Sequence, residues 1–541
     1  LIFLFAVSIA QAKDPVGALR GWLPEHGLAT FNRIANEIHA ASRDGGARGQ
    51  IAKGLAAILS ENGPAAVRRF ACEQLAIVGG EAEVEALAGL LEDEALETPA
   101  RGALERIGGP KAAGALRAAY AKSEKAQARA SLLGSLGKLG DAQAIPLAKA
   151  ALAERNARLR EAARVVLGEI GGNPAIAALL GAEAALAKEE RQSWGSALLA
   201  CIEGMGAPAA RAEESGAAII RQALERLQDG AQPVKIRAAA FAAKVRAAGP
   251  GGLDLVLEAL RGQDAAMLKG AFSALREENG ARLRMWHQPI MRAYDTMAAT
   301  GRDGLLDIYV AADIRAGAGF AMRMINDETP SRRQNALRAL GQLGSEPDFD
   351  VLFERVVGAS AEDRAAAADG LAHLRAASTG GRLMALLPAV PTESLPAVTD
   401  VLARRGARSA VPALLSLARA RDAETARAAV KAVATLGDVS DIPGLVDVVD
   451  KGGPGAAGAA QFLAKIARAE PQAARERLVV AMATAPAPTQ EVISKIMALA
   501  TADVAGLGRN LAPGGKAESP LGLKADGASK GPGAAIDGNP L

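Results

Sequence analysis

A five-residue pattern that returns roughly every thirty residues constrains this chain more than anything else in it. It reads LAIVG at Leu75–Gly79, LERIG at Leu104–Gly108, LGKLG at Leu136–Gly140 and LGEIG at Leu167–Gly171. The closing glycines stand 29, 32 and 31 residues apart. Further on, LGQLG, LAHLR, LARRG and VATLG close at Gly344, Arg375, Gly406 and Gly437, in steps of 31. Between these two runs the spacing loosens, with IEGMG ending at Gly206 and closures near Gly249 and Gly280. Extending the register places a degenerate unit near residue 312 and the last units near 468 and 499, about fourteen in all.

Each unit reads as two helices. Leu159 to Leu167 carries apolar residues at helical spacing and runs into Ile170-Gly171-Gly172, a glycine pair suited to a left-handed C-cap. Pro174 then opens Ala175-Ile176-Ala177-Ala178-Leu179-Leu180, with proline in the first turn. Neither helix can hide its apolar stripe alone, so neighbouring units must stack to bury it. Composition agrees: half of the 541 residues are apolar but only 3% are aromatic, and the apolar share is mostly alanine with leucine and valine. Lys and Arg number 63 against 60 Asp and Glu, a near-balance that argues against a dedicated nucleic-acid binder.

The pattern [VIL]-R-x-x-A…L-G-x-[IL]-G followed by an Ala/Leu helix is similar to HEAT repeats, in the short form first named for phycobilisome lyases. The resemblance covers about residues 60–505. It implies an all-α fold, a right-handed α-solenoid of about fourteen helix pairs. An arginine stands eleven positions before the closing residue in several units: Arg68, Arg129, Arg160, Arg333 and Arg364. The resemblance assigns that position to an inter-repeat hydrogen-bonding ladder. Asn156 stands where one unit would carry the family's turn aspartate.

The ends differ in texture. Leu1–Val7 is an apolar run, and Ala10-Gln11-Ala12 is a small-x-small cleavage site before Lys13, so residues 1–12 read as the remnant of a signal peptide. That places the mature chain in the periplasm or the medium, with 13–60 as N-terminal capping helices and 61–505 as the solenoid. No stretch is long and apolar enough to span a bilayer. Cys72 and Cys201 lie about four repeats apart, too far for a disulfide, and read as small buried hydrophobes. Residues 506–541 are Gly- and Pro-rich and, read alone, form a disordered tail. Yet Asn510-Leu511-Ala512, Gly515-Lys516-Ala517 and Ala535-Ile536-Asp537-Gly538-Asn539 resemble the opening of discoidin-like (coagulation-factor type C) modules. The resemblance implies a truncated carbohydrate-binding module, in which Asp537 would lie near a calcium only if the module were complete.

Chemistry is scarce. None of His26, His39, His287 and His373 is followed by Glu, and no H-E-x-x-H, C-x-x-C or P-loop element occurs. No cofactor and no metal site are expected. One stretch stands out: Ala281–Thr300 gathers Arg282, Arg284, Trp286, His287, Arg292 and Tyr294 with three methionines. Arg with aromatic residues favours an interface hot spot, whereas the plainer reading is the local core of a divergent repeat, interrupted at Pro289. The sequence therefore reads as a non-catalytic scaffold presenting a concave face to a protein partner and tethering a sugar-binding module. The rival readings are the accessory arm of a larger polysaccharide-processing enzyme, a HEAT-like lyase or a base-excision glycosylase.

Overall fold

The leucine or valine that heads each motif is where the helices close. Leu75, Leu104, Leu136, Leu167, Leu340, Leu371, Leu402 and Val433 have no solvent exposure. A computed structural model describes residues 15–22, 29–61, 63–205 and 214–501. The expected segments 1–12 and 506–541, with Asp537, lie outside the described residues. Every regular element among the described residues is an α-helix or a short 3-10 turn. Helix pairs follow the motif register as HEAT-like repeats: Ala65–Val78 with Val84–Ala88, Glu97–Ile107 with Gly109–Lys122, Ala157–Ile170 with Gly172–Gly181, and so on to Ala456–Ala469 with Pro471–Thr484. The closures extrapolated to 312, 468 and 499 fall at the ends of Ala299–Ala311, Ala456–Ala469 and Ala487–Thr501.

Packing divides the described residues into two units, one running to 274 and including 296–298, the other made of 275–295 and the residues from 299 on. In the first, Leu87, Leu116, Ala148 and Leu179 of the second helices complete the core begun by the motif leucines. Trp194 is fully buried there, its indole Nε1 donating to the Leu179 carbonyl at 2.8 Å. Both cysteines are free and buried. Burial pushes each thiol up to about 12, and Cys201 Sγ donates to the Leu167 carbonyl at 3.2 Å. In the second unit Leu352, Leu383, Leu414 and Leu445 repeat at the motif's step of 31, all without exposure.

The closing glycines serve in two ways. Gly171 and Gly172 take φ of 70° and 79°, the left-handed cap the sequence suggests. Gly344 does not: its backbone is extended, and a Cβ there would collide with the Leu340 carbonyl that its own amide caps. The inner glycine of the motif has a different task. A side chain on Gly341 would overlap the backbone of Gly370 on the next first helix, so Pro330–Leu343 and Ala361–His373 touch main chain to main chain. At Gly168 a Cβ would come within 3.2 Å of the Ala197 Cα.

Gly134, inside Ala126–Lys138, faces open space instead. The same substitution should therefore have opposite signs at the two positions. Gly134→Ala should stabilise by about 0.5–1 kcal/mol through helix propensity. Gly341→Ala should destabilise by about 1–3 kcal/mol, because overpacking outweighs that gain. Chemical denaturation of both variants checks the pair.

Candidate functional site

The stretch Ala281–Thr300 follows an abrupt break in the chain. Between 265–276 and 281–292 the helix is interrupted at Glu277–Gly280, where Glu278, Asn279 and Gly280 take φ of 51°, 54° and 77°. Three successive left-handed residues cannot continue a right-handed helix. Pro289, the expected point of interruption, lies inside the second segment. Its missing N–H removes the i→i−4 donor to the Met285 carbonyl, and Met285 itself is 71% exposed.

The grouped residues divide by depth. Trp286 is 6% exposed and faces the core. Arg282 is half-buried, with Nη1 donating to Glu277 Oε2 at 2.7 Å across the break. Arg284 is exposed and donates to the carbonyls of Asn279 at 2.7 Å and Ala312 at 3.3 Å. Arg292 is exposed. His287 Nδ1 lies 2.8 Å from the hydroxyl of fully buried Tyr309, the rings meeting edge to face. Burial pushes the His287 imidazole below its usual range and the Tyr309 phenol above its own. Tyr309 continues to Phe320 and Tyr294, and the Arg323 guanidinium lies over the Tyr294 ring at 4.2 Å while pairing with Asp295 at 2.6 Å. The stretch thus contributes to a buried aromatic cluster and leaves Arg284, Met285 and Arg292 outside.

The arginines eleven residues before each closure share one geometry. Each reaches back toward the end of the preceding helix or its turn, or forward to an acid or carbonyl of the next repeat. Arg160 donates to the Glu154 and Arg155 carbonyls at 2.9 Å and to Glu190 at 2.9 Å. Arg333 donates to the Asp327 and Glu328 carbonyls at 3.0 Å and to Asp363 at 2.9 Å. Arg68 joins the Leu59 carbonyl at 3.2 Å and Asp93 at 3.4 Å. Arg129 joins Glu154 and Tyr120, and Arg364 the carbonyls of Val356, Ala359 and Glu393. Arg237 does the same with the Gln228 carbonyl and Asp264, a member hidden by the loose spacing of the middle repeats.

On the exposed face of the first helices in the second unit, charges link across repeats. Arg338 lies 3.9 Å from Asp369, Asp369 2.6 Å from Arg404, and Arg404 3.7 Å from Asp400. Two openings of about 330 Å³ adjoin the end of this row. One lies between Leu395–Arg404 and Ala423–Leu436, with Asp400, Arg404 and Lys431 on its rim. The other lies between Ala423–Leu436 and Ala456–Ala469, with Arg427, Lys431 and Lys465 around Val430, Ala434 and Phe462. Among the described residues no group of three or more His, Cys, Asp or Glu could hold a metal, and no helix is long and apolar enough to cross a membrane.

No family model and no curated protein sequence matches the chain. Solved structures do resemble it. Kap121p bound to RanGTP does so at 14% identity and a TM-score of 0.44, over 86% of this chain and 59% of that one. Importin beta in a polyethylene glycol condition does so at 12% and 0.38, over 85% and 68%. Kap95p with RanGDP follows at 14% and 0.31, over 97% and 75%. The chain spans less than two thirds of the Kap121p chain, and likenesses at these scores say nothing about shared partners.

Two measurements separate core from surface in this region. Trp286→Ala should cost about 3–5 kcal/mol through the cavity it leaves, whereas Met285→Ser next to it should stay within about 0.5 kcal/mol; calorimetric melts report both. His287 generates a pH effect. Its folded imidazole holds a proton less tightly than the unfolded one, whose value is 6.5. The unfolded chain therefore gains the proton first on acidification, and stability falls as pH drops through that value toward the folded one. Between about pH 7.5 and about pH 5 the wild type should lose more Tm than His287→Gln.

Proposed function

We propose that this protein is a non-catalytic scaffold that binds a protein partner along the exposed face of its first helices. The observation that carries the reading is the pair of openings at Lys431, which adjoin a row of charges, Arg338 to Asp400, fixed to one another across repeats. Side chains held by neighbours lose little rotamer freedom on binding, which lowers the entropic cost of association. Arg68, Arg129, Arg160, Arg333 and Arg364 spend their donors on backbone carbonyls and acids of adjacent repeats, so we assign them to holding the stack and not to a partner. Arg284 and Arg292 are assigned to the exposed surface of the divergent repeat, Trp286 and Arg282 to its interior.

The apolar run Leu1–Val7 with Ala10-Gln11-Ala12 supports export, and the motif around Asp537 supports a tethered carbohydrate-binding module. Both extend the scaffold reading without being needed for it.

A photo-crosslinking amino acid introduced into the full chain in its native host tests the main reading. At Asn335 and Gln461, exposed on first helices, it should give discrete protein adducts. At Glu354 and Lys451, on second helices, it should give few. No adduct at either first-helix position would refute a partner on this face.

A further inference from the structure

The charge row on the first-helix face is self-neutralising until the repeat that begins at Ala423. Arg338, Asp369, Arg404 and Asp400 satisfy one another. One step further, at the position 31 residues after Asp400, stands Lys431, and no carboxylate lies within ion-pairing distance of it or of Lys465 among the described residues. The opening between Ala423–Leu436 and Ala456–Ala469 is lined by Arg427, Lys431 and Lys465 and by no acidic side chain. In a chain whose charges otherwise balance, 63 basic against 60 acidic, three cations around one opening is a local excess.

The floor of that opening is apolar and low. Val430 and Phe462 are buried, and Pro454, Gly455 and Gly458 form the near wall. Gly455 and Gly458 cannot be larger without disturbance: a Cβ at 455 would strike the Ala418 carbonyl, and one at 458 would come within 3.0 Å of Val430 Cγ1. The space a Cβ would fill is taken by Ala418 and Val430, so these glycines let the wall pack tightly against the helix beside it.

We propose that this opening, within the scaffold reading above on which the inference rests, seats an extended acidic peptide segment of a protein partner. Charge complementarity selects the occupant. Arg427 and Lys431 stand one helical turn apart, with Cβ atoms about 5–6 Å from each other. Carboxylates two residues apart on an extended chain are spaced about 6.5–7 Å on one side, which matches that turn. Lys465 reaches the same peptide from the neighbouring helix, about 8–10 Å away. An apolar side chain beside the acids lies on half-buried Ala434, against the edges that Val430 and Phe462 present to the opening. A nucleic acid suits the opening less well, because buried Phe462 offers no free ring face on which a base could stack.

The probe is a short fluorescein-labelled peptide of repeating Glu-Ala-Glu-Leu, titrated with the full chain and read by fluorescence anisotropy. Saturable binding that weakens with salt is expected, with no binding of the Lys-for-Glu counterpart. Lys431→Glu with Lys465→Glu should lower affinity at least about tenfold. Lys149→Glu, exposed on a second helix of the first unit, should leave it unchanged. Both lysines in the opening are exposed, so the double variant should keep its Tm, and Lys465→Gln should show an intermediate loss. Absence of saturable binding by the native chain overturns the proposal, as does a double variant that binds as tightly as the native chain. Equal or tighter binding of a single-stranded oligonucleotide, lost in the same double variant, also overturns it. If adducts form at Gln461 while the acidic peptide fails, the scaffold reading stands and this inference alone falls.

Discussion

How near one first helix can come to the next decides everything else in this chain. At Gly341 and Gly370 the approach is main chain against main chain, and at Gly168 it is glycine against the Ala197 backbone. Contact this close is possible only with hydrogen or methyl side chains, which explains an apolar half in which alanine is the commonest residue and aromatics are few. It also sets the reach of polar side chains. An arginine such as Arg333 can touch both the turn behind it and Asp363 in front because the repeats lie within one side-chain length of each other. Dispersion between closely packed surfaces is small per atom pair and large in sum; the arginines add direction to it by fixing register.

Much of the fold was legible because the signal repeats. A closure predicted near 312, where the motif is almost erased, falls beside the end of Ala299–Ala311, since the register is imposed by neighbours as much as by local residues. The motif's inner glycine was not legible. Read in one dimension, Gly341 looks like a weak point in a helix, and only the position of Gly370 on the neighbouring repeat gives it a function. The unit closing at Arg375 shows the same limit. It lacks the terminal glycine, and Arg405 from the following repeat supplies the cap by donating to the carbonyls of Leu371, Ala372, Leu374 and Ala376.

The stretch around Trp286 illustrates why composition alone leaves core and surface unresolved. Arg, Trp, His and Met together suit an interface as well as a filled layer, and helical phase separates them only when the start of the helix is known. Here the start is set by the left-handed run Glu278–Asn279–Gly280 and not by Pro289, which lies inside the second segment. Asn279 and Gly280 both suit that turn, asparagine being enriched at positive φ, but Glu278 carries no such mark. Once the helix begins at 281, Leu283, Trp286 and Ile290 fall on its inner side and Arg284, Met285 and Arg292 on its outer side. Trp286 is then buried beside Leu283 and Ile290 on that inner side, while Tyr294, Tyr309 and Phe320 form the aromatic cluster that His287 joins.

Recognition on such a surface depends less on which charges are present than on where their pairing stops. Exposed ion pairs contribute little stability, about 0–1 kcal/mol each, so the row from Arg338 to Asp400 is a weak argument for folding. Its consequence is electrostatic silence: paired charges leave little field for a partner to sense. Where the row ends, an uncompensated cation retains its full attraction, and a nearby apolar floor turns that attraction into a place. Lys431 and Lys465 meet both conditions over Val430 and Phe462, and Arg427, which also feels the Asp422 carboxylate, adds to them. By the same logic Arg382, which pairs with Asp350 and Glu346 and lies over the Phe349 ring, is a cation already spent inside the molecule. A repeat protein can thus specialise one segment of a uniform stack by leaving out single acids, with the helices beneath unchanged.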